Sequence, residues 1–513
     1  MVRQFAYGVA LFISSACGLI IEIVAGRLIA PYVGMSLYTW TAIIAVVLAG
    51  LSAGHWIGGM LASAHVDTVR GGRRVAIALG LAAVSSLASL VLLRVVSGAL
   101  LSSGLTPIPS IVLLSAALFL LPSLFVGIVS PILTKLAIDA EPDRHGPVIG
   151  RMYALGTLGS IAGTLSAGYL FISWIGSTGT IIAVAAIYAI LGLAFAITDS
   201  LRALFLAVLV IAGASFAWWG DKVQAFTSPC DIESDYFCIR MADYSDQSGR
   251  PSALMALDHL VHSINDRDDP GLLYSPYIQA VDELSKQRFK DQPDGFSPRA
   301  FFIGGGGYSL PRAWAHDYPL GELIVAEIDP QVTQAARQRL WLDSNAPGLS
   351  IIHRDARAVL QALPENEPFD LIFGDAFHDI SIPAHLVTRE FHRQIAKRLT
   401  MDGIYALNVV DSGSRPRFLF ALLKTLHKDF ASVEAWIETS EVANPGRVTF
   451  IVIASNTASS TGTLSAARGP ERSWRRWPTD DLERRIAQAS VPVLTDDYAP
   501  VDRLMSALLL QPD

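Results

Sequence analysis

Three acidic residues in the second half of the chain each follow a short apolar run, close to where a strand would end. They are Glu327, Asp355 and Asp375. The apolar run before them ends in the glycines Gly304, Gly305 and Gly306. Glycines let a ligand approach the main chain, and a carboxylate about twenty residues further on can accept hydrogen bonds from both hydroxyls of a ribose. The spacing therefore predicts a nucleoside site.

The segments that would position these residues alternate between strand and helix from Arg299 onward. Strands are predicted at 300–303, 323–326, 350–353, 370–373 and 404–410. Two further strands, around 433–438 and 447–454, have no clear helix between them and are predicted to form an antiparallel edge pair. This order predicts a doubly wound α/β sheet over residues 296–456, which binds ligands beyond the carboxyl ends of its strands. Residues 221–295 are predicted to form a small β subdomain with a connecting helix, and 457–513 a linker and C-terminal helical tail.

The residues after the first strand of this sheet distinguish between two kinds of nucleoside site. A dinucleotide site needs the pattern G-x-G-x-x-G at the start of the helix. Here Tyr308, Ser309, Leu310 and Pro311 replace it. The sequence thus favours a class I S-adenosylmethionine-binding, Rossmann-like domain over an NAD site. It predicts no metal and no cofactor beyond an S-adenosylmethionine-type donor.

The first 220 residues have a different composition. Only 17% of the 513 residues are charged, against about 25% in soluble proteins. No Asp, Glu, Lys or Arg occurs from Leu28 to Val66, from Val95 to Thr134 or from Met152 to Thr198. A helix needs about 20 apolar residues to cross the hydrocarbon core of a bilayer. We predict a transmembrane bundle over residues 1–220 with about seven helices, at 5–30, 37–64, 73–97, 108–136, 150–174, 177–198 and 201–219.

Two features of this bundle could have a specific role. Glu22 lies inside the first predicted crossing, and an intramembrane carboxylate is a functional hypothesis by default. A buried polar pair with Arg27, or an arginine that extends to the membrane surface, is the alternative. The glycines of the fifth crossing suit close helix packing; they are Gly156, Gly159, Gly163 and Gly168.

The basic residues of the bundle indicate its orientation. They fall in alternate loops, such as Arg70–Arg74 and the loop with Arg202, and basic loops are retained on the cytoplasmic side. This pattern favours a multi-pass protein of the inner (cell) membrane with its N-terminus inside, and seven crossings place the soluble part outside. Cys230 and Cys238 could form a disulfide in such an oxidising compartment, although two reduced thiols also fit their spacing. A reporter fused at Asp513 should then be active only outside.

The chain resembles a known family in both halves. The soluble part resembles the polyamine aminopropyltransferases, the spermidine synthase family, and the whole chain resembles the membrane-integrated branch of that family. In the bundle the resemblance rests on Glu22, Arg27, Trp40 and the segment from Arg151 to Ser160. In the soluble part it rests on the segments Leu257–His262, Gly304–Arg312, Glu327–Asp329, Asp355, Asp375–Phe377 and Leu494–Val501.

The resemblance implies roles for individual residues. Glu327 would hold the ribose of the donor, and Asp355 with Ala356 its adenine. His262 stands where the family has a glutamine near the nucleoside. Tyr274 or Tyr277 lies in the segment that closes over the propyl chain, and Asp375 lies beside the attacking amine. The implied reaction is displacement at carbon by an amine, with a sulfonium as leaving group, and Asp375 can take the proton of the amine.

The chain departs from the family pattern at two cation-binding positions. The family's glycine loop carries an aspartate that holds the aminopropyl ammonium of the donor, and this chain has Gly307 there. The second aspartate, which binds the acceptor diamine, is His378 here, with Asp379 one place later. The first departure leaves room for S-adenosylmethionine, which retains its carboxylate. The second weakens the case for putrescine as acceptor.

Several functions therefore stay open at this point. The chain is expected to be an enzyme that cleaves the Cγ–S bond of S-adenosylmethionine or its decarboxylated form, releases 5′-methylthioadenosine and transfers the propyl group to an amine. The same cleft without an acceptor could act as a lyase or cyclase. A nucleoside-binding transporter or sensor is the alternative that Glu22 supports, and methyl transfer is a weaker one.

The expected partners are the sulfonium donor, a polyamine and the lipid bilayer, with homo-oligomerisation left open. A net charge of −7 argues against nucleic acid. Cytoplasmic pools of S-adenosylmethionine conflict with the predicted external side.

Overall fold

The computed structural model describes residues 2–63, 68–196, 199–377 and 382–510. The chain divides into two compact units, Met1–Glu233 and Ser234–Asp513. The first unit consists of α-helices and ends in the two-residue strand β1 (Ile232–Glu233). Its helices are α1 (Val2–Val33), α2 (Leu37–Ser63), α3 (Thr68–Leu101), α4 (Pro107–Asp139), α5 (His145–Ser166), α6 (Ile172–Phe195) and α7 (Asp199–Lys222).

Among the described residues, six helices are long and apolar enough to span a membrane. The number differs from the predicted seven because α5, a π-helical turn and α6 form one helical stretch, His145–Phe195, of 51 residues. At about 1.5 Å per residue this stretch would be about 77 Å long, far more than the roughly 30 Å of the hydrocarbon core. Its helical geometry breaks at Gly176, whose φ is 67° and ψ 175°. The stretch therefore holds the fifth and sixth predicted crossings, joined at Gly176 without a separate loop.

Glu233 stabilises the helix that resumes after Gly176. Its Oε2 accepts a hydrogen bond from the main-chain N–H of Ser177 at 2.8 Å, and its Oε1 accepts from the Ser228 hydroxyl at 2.6 Å. A carboxylate at a helix N-terminus satisfies a free N–H and interacts favourably with the helix dipole. Two cysteines flank Glu233 in the sequence. Cys230 and Cys238 are both disulfide-bonded, whereas Cys17 is free and buried.

Close contacts between helices of the bundle depend on glycine. A Cβ atom at Gly159 or Gly163 of α5 would lie 2.2 Å from a main-chain oxygen of α1. The close packing predicted for the fifth crossing is confirmed at these two positions. Gly156 is less tightly packed, since a Cβ atom there would lie 3.6 Å from the Ser15 hydroxyl oxygen. A Cβ atom at Gly168 would face open space. The helices α2 and α4 show the same feature, since Gly50, Gly54 and Gly58 of α2 all face the main chain of α4.

We predict that Gly54→Ala destabilises the bundle, whereas Gly59→Ala on the same helix does not. A Cβ at Gly54 would lie 2.1 Å from the carbonyl oxygen of Leu124, but a Cβ at Gly59 would have no atom within 4 Å. Overpacking of this kind costs about 1–3 kcal/mol, while alanine at an open helical position is favourable by up to about 1 kcal/mol. The midpoint of thermal unfolding in detergent measures both. Equal midpoints for the two variants would contradict the tight α2–α4 contact.

The second unit begins with a small antiparallel sheet, as predicted. It contains β2 (Cys238–Asp243), β3 (Ser252–Leu257) and β4 (Leu260–Asp266), with the short helix α8 (Ser245–Ser248) between the first two strands. The connecting helix α9 (Pro276–Phe289) follows.

A larger sheet of nine described strands forms the rest of the unit. Its strands are β5 (Arg299–Ile303), β6 (Glu322–Ala326), β7 (Leu349–Ile352), β8 (Phe369–Gly374), β9 (Leu399–Ser412), β10 (Ser432–Glu438), β11 (Arg447–Ser455), β12 (Thr463–Ser465) and β13 (Ser473–Arg476). The helices around it are α10 (Ser309–Asp317), α11 (Pro330–Arg339), α12 (Ala356–Ala362), α13 (Arg389–Ala396), α14 (Arg417–Leu426), α15 (Thr479–Gln488), α16 (Val501–Leu504) and α17 (Ser506–Leu510).

The strand order places the acidic strand ends together. Across the sheet the order is β7, β6, β5, β8, β9, β11, β10, β13 and β12. Strands β5 to β9 are parallel, and β11 runs antiparallel between β9 and β10. The carboxyl ends of β5, β6, β7 and β8 therefore meet at one edge, because parallel strands share their direction.

The predicted pairing of the last two strands is confirmed, but their predicted edge position is wrong. Strand β10 pairs with β11 and also with β13, which pairs in turn with β12. Residues 463–476 were expected to be a linker. They extend the sheet because Trp474 is 1% exposed and needs a partner surface, and burial of a large aromatic side chain stabilises the added strand by about 1.5–3 kcal/mol.

Candidate active site

A cavity of about 190 Å³ lies at the carboxyl ends of these strands in the second unit. Its lining includes the predicted residues His262, Gly304, Gly306, Glu327, Asp355, Ala356 and Asp375. Apolar side chains, among them Ile328, Phe377 and Leu386, form much of the remaining wall. A largely apolar cleft with a few converging polar groups is the usual form of a small-molecule site.

The glycine loop is held against the neighbouring strand ends. Gly304 has a φ of 93°, and a Cβ there would lie 2.6 Å from the carbonyl oxygen of Asp375, so no other residue fits without a shift. The main-chain N–H groups of Gly305 and Gly306 donate to Oε2 of Glu327 at 2.7 and 3.3 Å. Gly305 thus supports the loop without lining the cavity.

Glu327 is buried, with 5% of its surface exposed. Burial raises the pKa of its carboxyl group, and hydrogen bonds from the main chain of Asp329, Gly305 and Gly306 oppose that rise. Its Oε1 accepts from the Asp329 N–H at 2.9 Å. Each carboxylate oxygen can accept two hydrogen bonds, so Oε1 retains capacity for a hydroxyl of a ligand.

Asp355 begins helix α12 and pairs with a histidine that the sequence analysis missed. Its Oδ1 accepts from the N–H of Ala358 at 3.0 Å, and its Oδ2 lies 2.7 Å from Nε2 of His385. Hydrogen bonds from His385 and from the main chain lower the pKa of Asp355, against an opposing effect of burial. His385 also lines the cavity. His385 was missed because it lies in a segment where nothing in the sequence marks the end of a strand.

Asp375 lies at the centre of the cleft, between two hydrogen-bond donors. The hydroxyl of Tyr277 donates to Oδ2 at 3.0 Å, and Nδ2 of Asn408 donates to Oδ1 at 2.9 Å. Burial raises the pKa of Asp375 to about 7, although both donors act to lower it. Asn408 was not predicted. A polar residue within the apolar run 404–410, where it is 5% exposed, was the signal that could have identified it.

The structure separates the two candidate tyrosines. The Tyr277 hydroxyl contacts Asp375 and also lies 3.3 Å from the carbonyl oxygen of His262. The Tyr274 hydroxyl instead donates to Oδ2 of Asp266 at 3.2 Å, and neither tyrosine lines the cavity itself. Asp266 is fully buried and forms an ion pair with Arg250 at 2.8 Å. Tyr274 thus belongs to a neighbouring polar cluster, and of the two tyrosines only Tyr277 is brought to Asp375.

His262 lines the cavity on the side of the small sheet. Its Nδ1 lies 3.0 Å from the carbonyl oxygen of Leu260, and burial lowers its pKa. A neutral imidazole whose Nδ1 donates to a carbonyl group leaves Nε2 as a hydrogen-bond acceptor.

The chain departs from the family pattern at two positions, and the structure describes only the first of them, Gly307. A Cβ at Gly307 would lie 1.6 Å from the Ser263 hydroxyl oxygen, so an aspartate at this position would require the Ser263 side chain to move. The carbonyl oxygen of Gly307 is also fixed by Nδ2 of Asn265 at 2.8 Å. His378 and Asp379 lie outside the described residues.

Comparison with known proteins gives related sequences for part of the chain. No family model matches it. It is 33% identical over 137 residues to a polyamine aminopropyltransferase of Vibrio vulnificus, which covers 26% of this chain and 44% of that protein. It is 25% identical over 222 residues to a probable polyamine aminopropyl transferase of Bifidobacterium longum, covering 40% and 48% respectively. The chain thus spans somewhat less than half the length of these curated relatives.

Solved structures with a similar fold include two spermidine synthases. A probable spermidine synthase from Corynebacterium glutamicum is 19% identical, with a TM-score of 0.46, over 54% of this chain and 99% of that one. A spermidine synthase in complex with the transition state analogue AdoDATO is 20% identical, with a TM-score of 0.34, over 44% and 72%. At these identities and TM-scores neither similarity supports a conclusion about this chain.

The parallel strands β5–β9, the reversed strand β11 beside β9 and the cleft at the strand ends define the second unit as a class I S-adenosylmethionine-binding type of α/β domain. Part of the chain is similar in sequence to the polyamine aminopropyltransferases, a similarity that the solved structures do not extend.

Proposed function

We propose that the second unit is an aminopropyltransferase-type enzyme that cleaves the Cγ–S bond of an S-adenosylmethionine-type donor and releases 5′-methylthioadenosine. The observation that carries this proposal is the position of Asp375, held by Tyr277 and Asn408 at the centre of the cleft. A base is most effective when its pKa is near the working pH, and the pKa of Asp375 is about 7.

The other cavity residues suit the nucleoside part of this donor. The free capacity of Glu327 Oε1 suits a ribose hydroxyl, and the carboxylate of Asp355 suits the amino group of adenine. The side chains of Ile328 and Leu386 supply apolar walls for a purine ring. Binding in this manner would direct the sulfonium toward Asp375, because Glu327 and Asp375 end neighbouring parts of the same sheet edge.

The proposed step needs no acid. An amine nitrogen attacks Cγ as the Cγ–S bond breaks, and the bonding electron pair stays on sulfur, which leaves as a neutral thioether. Asp375 accepts the proton that the nitrogen loses. The enzyme mainly aligns nitrogen, carbon and sulfur, and such positioning can account for a large part of the rate.

A lyase or cyclase is the second candidate, and Gly307 favours it. Gly307 supplies no carboxylate to hold the aminopropyl ammonium of the decarboxylated donor, so nothing at this position favours that donor over S-adenosylmethionine. In that reaction a group of the donor itself would displace sulfur, and no acceptor amine would be needed.

Product analysis tests the proposal and separates the two candidates. The purified chain is incubated with S-adenosylmethionine or its decarboxylated form, each with and without putrescine, and the products are identified by mass spectrometry. We expect methylthioadenosine release that depends only weakly on putrescine. Weak dependence would support the lyase or cyclase, or an acceptor other than putrescine, whereas strict dependence on a diamine, with spermidine as product, would support transfer to that diamine. No methylthioadenosine under any condition would refute the proposed function.

The pH dependence of the reaction should report the ionisation of Asp375. Because the base must be ionised, kcat/KM is expected to rise with pH and to level off above about 7. Asn408 donates to the ionised form and so lowers the pKa. The variant Asn408→Leu should therefore move the acidic limb to higher pH. A pH–rate profile of both proteins measures this, and an unmoved limb would show that another group controls the ionisation.

A further inference from the structure

The first unit contains a cavity of about 360 Å³ among helices α1, α2, α4 and α5. Its size is within the range of small-molecule sites. Apolar side chains such as Leu19, Leu51 and Val126 form part of the wall. Hydroxyl groups and one imidazole form another part; they belong to Ser15, His55, Ser130, Thr134, Thr157 and Ser160, together with Ser14 and Tyr153.

Four of the hydroxyl groups at this cavity have no partner in the described part of the chain. Serine and threonine in membrane helices commonly donate to the carbonyl group one turn earlier, and Thr41, Ser85, Ser86, Thr164 and Thr180 do so here. By contrast, Ser15, Ser130, Thr134 and Ser160 make no hydrogen bond with any residue in the described part of the chain. Hydroxyls without a partner inside a membrane are costly, so a ligand that hydrogen-bonds these four groups would be stabilised in the cavity.

The lining also limits the charge of an occupant. Among the described residues that line the cavity there is no Asp, Glu, Lys or Arg, and Glu22 is not one of them. A sulfonium or a polyamine would have no counter-charge there, which is unfavourable within a bilayer. A neutral molecule with hydroxyl groups and one flat apolar face matches both parts of the wall.

We propose that this cavity binds a neutral nucleoside, and specifically the methylthioadenosine that the second unit would release. The identity of the nucleoside rests on the proposed function. Its ribose hydroxyls would bond Ser130 and Thr134, which are four residues apart and so lie on one face of α4. Its base would pack on the apolar wall. The bundle thereby serves as a binding site for the product and takes no part in the chemical step.

The test is a titration of the full chain in nanodiscs with labelled methylthioadenosine. We expect two sites per chain, and one in the Glu327→Ala variant, which loses the site in the second unit. In that background Thr134→Val should weaken the remaining site by about fivefold or more, as for loss of one hydrogen bond. Thr157→Val is the matched control, because the Thr157 hydroxyl already donates to the carbonyl oxygen of Tyr153 at 3.0 Å. Its affinity should be unchanged.

Other outcomes would overturn the proposal. A single site in the native chain, or equal effects of Thr134→Val and Thr157→Val, would mean that the cavity holds only water. Displacement of the label from the bundle site by spermidine would contradict the charge argument. If Thr134→Val does not fold, Ser160→Ala takes its place. The titration does not depend on turnover, so a chain that binds nucleoside in the bundle but forms no methylthioadenosine would refute the proposed function and leave this site intact.

Discussion

The variant Asp375→Asn is expected to bind the nucleoside donor and to lose turnover by about 10²-fold or more, the usual effect of removing a positioned base. Asparagine keeps the shape of the side chain and can still meet Tyr277 and Asn408, but it cannot accept a proton. Steady-state kinetics and calorimetric donor binding, measured on the same preparation, separate the two properties. A fully active variant would remove Asp375 from the chemical step.

Stability gives an independent check that this variant is folded. The pKa of Asp375 rises from an ordinary value of 3.8 to about 7 in the folded chain, so between these values the folded state binds more protons than the unfolded state. The stability of the native protein therefore falls as pH rises from about 4 to 7. Asp375→Asn removes the contribution of this residue to that dependence. We expect a higher midpoint of thermal unfolding than for the native protein at pH 8, and a similar one at pH 4.

Asp411 supplies a matched control. It is another buried carboxylate whose pKa burial raises to about 7. It accepts from the N–H of Leu419 at 2.9 Å at the start of α14 and does not line the cavity. Asp411→Asn should therefore change the pH dependence of stability and retain turnover. If both variants lost activity equally, the loss would reflect a general perturbation of the domain.

The second large effect is expected for Glu327→Ala. The ribose of the donor would lose a charged acceptor worth about 1.5–3 kcal/mol, which corresponds to roughly 10- to 150-fold weaker binding. The same change removes the acceptor for the Gly305 and Gly306 N–H groups, so the glycine loop also becomes less well positioned. Isothermal calorimetry with the donor measures the loss.

Glu322 provides the comparison for this experiment. It begins the same strand, β6, at the end away from the cleft, and it pairs with Arg299 on the surface at 2.7 Å. Surface ion pairs contribute little, about 0–1 kcal/mol. Glu322→Ala should leave donor affinity unchanged. Unchanged affinity in Glu327→Ala itself would exclude this carboxylate from the site.

Much of this protein could be predicted from local sequence. Long stretches without charged residues indicated the bundle, since about 20 consecutive uncharged, apolar residues are typical of a membrane-spanning helix. The order of strands and helices indicated a parallel sheet, and Glu327, Asp355 and Asp375 at successive strand ends indicated the cleft. These signals are local: each depends on the periodicity of one segment, or on the rule that parallel strands end on one edge.

Other features were decided only by the tertiary structure. Tyr277 and Asn408 stand 98 and 33 positions from Asp375 in the sequence, and only the packing of α9 and the register of β9 bring them to its two oxygens. The same holds for His385 beside Asp355, and for the four hydroxyls that meet in the bundle from α1, α4 and α5. The local sequence shows that a side chain is polar. Which partner it meets depends on long-range packing, because that packing alone determines which distant segments become neighbours.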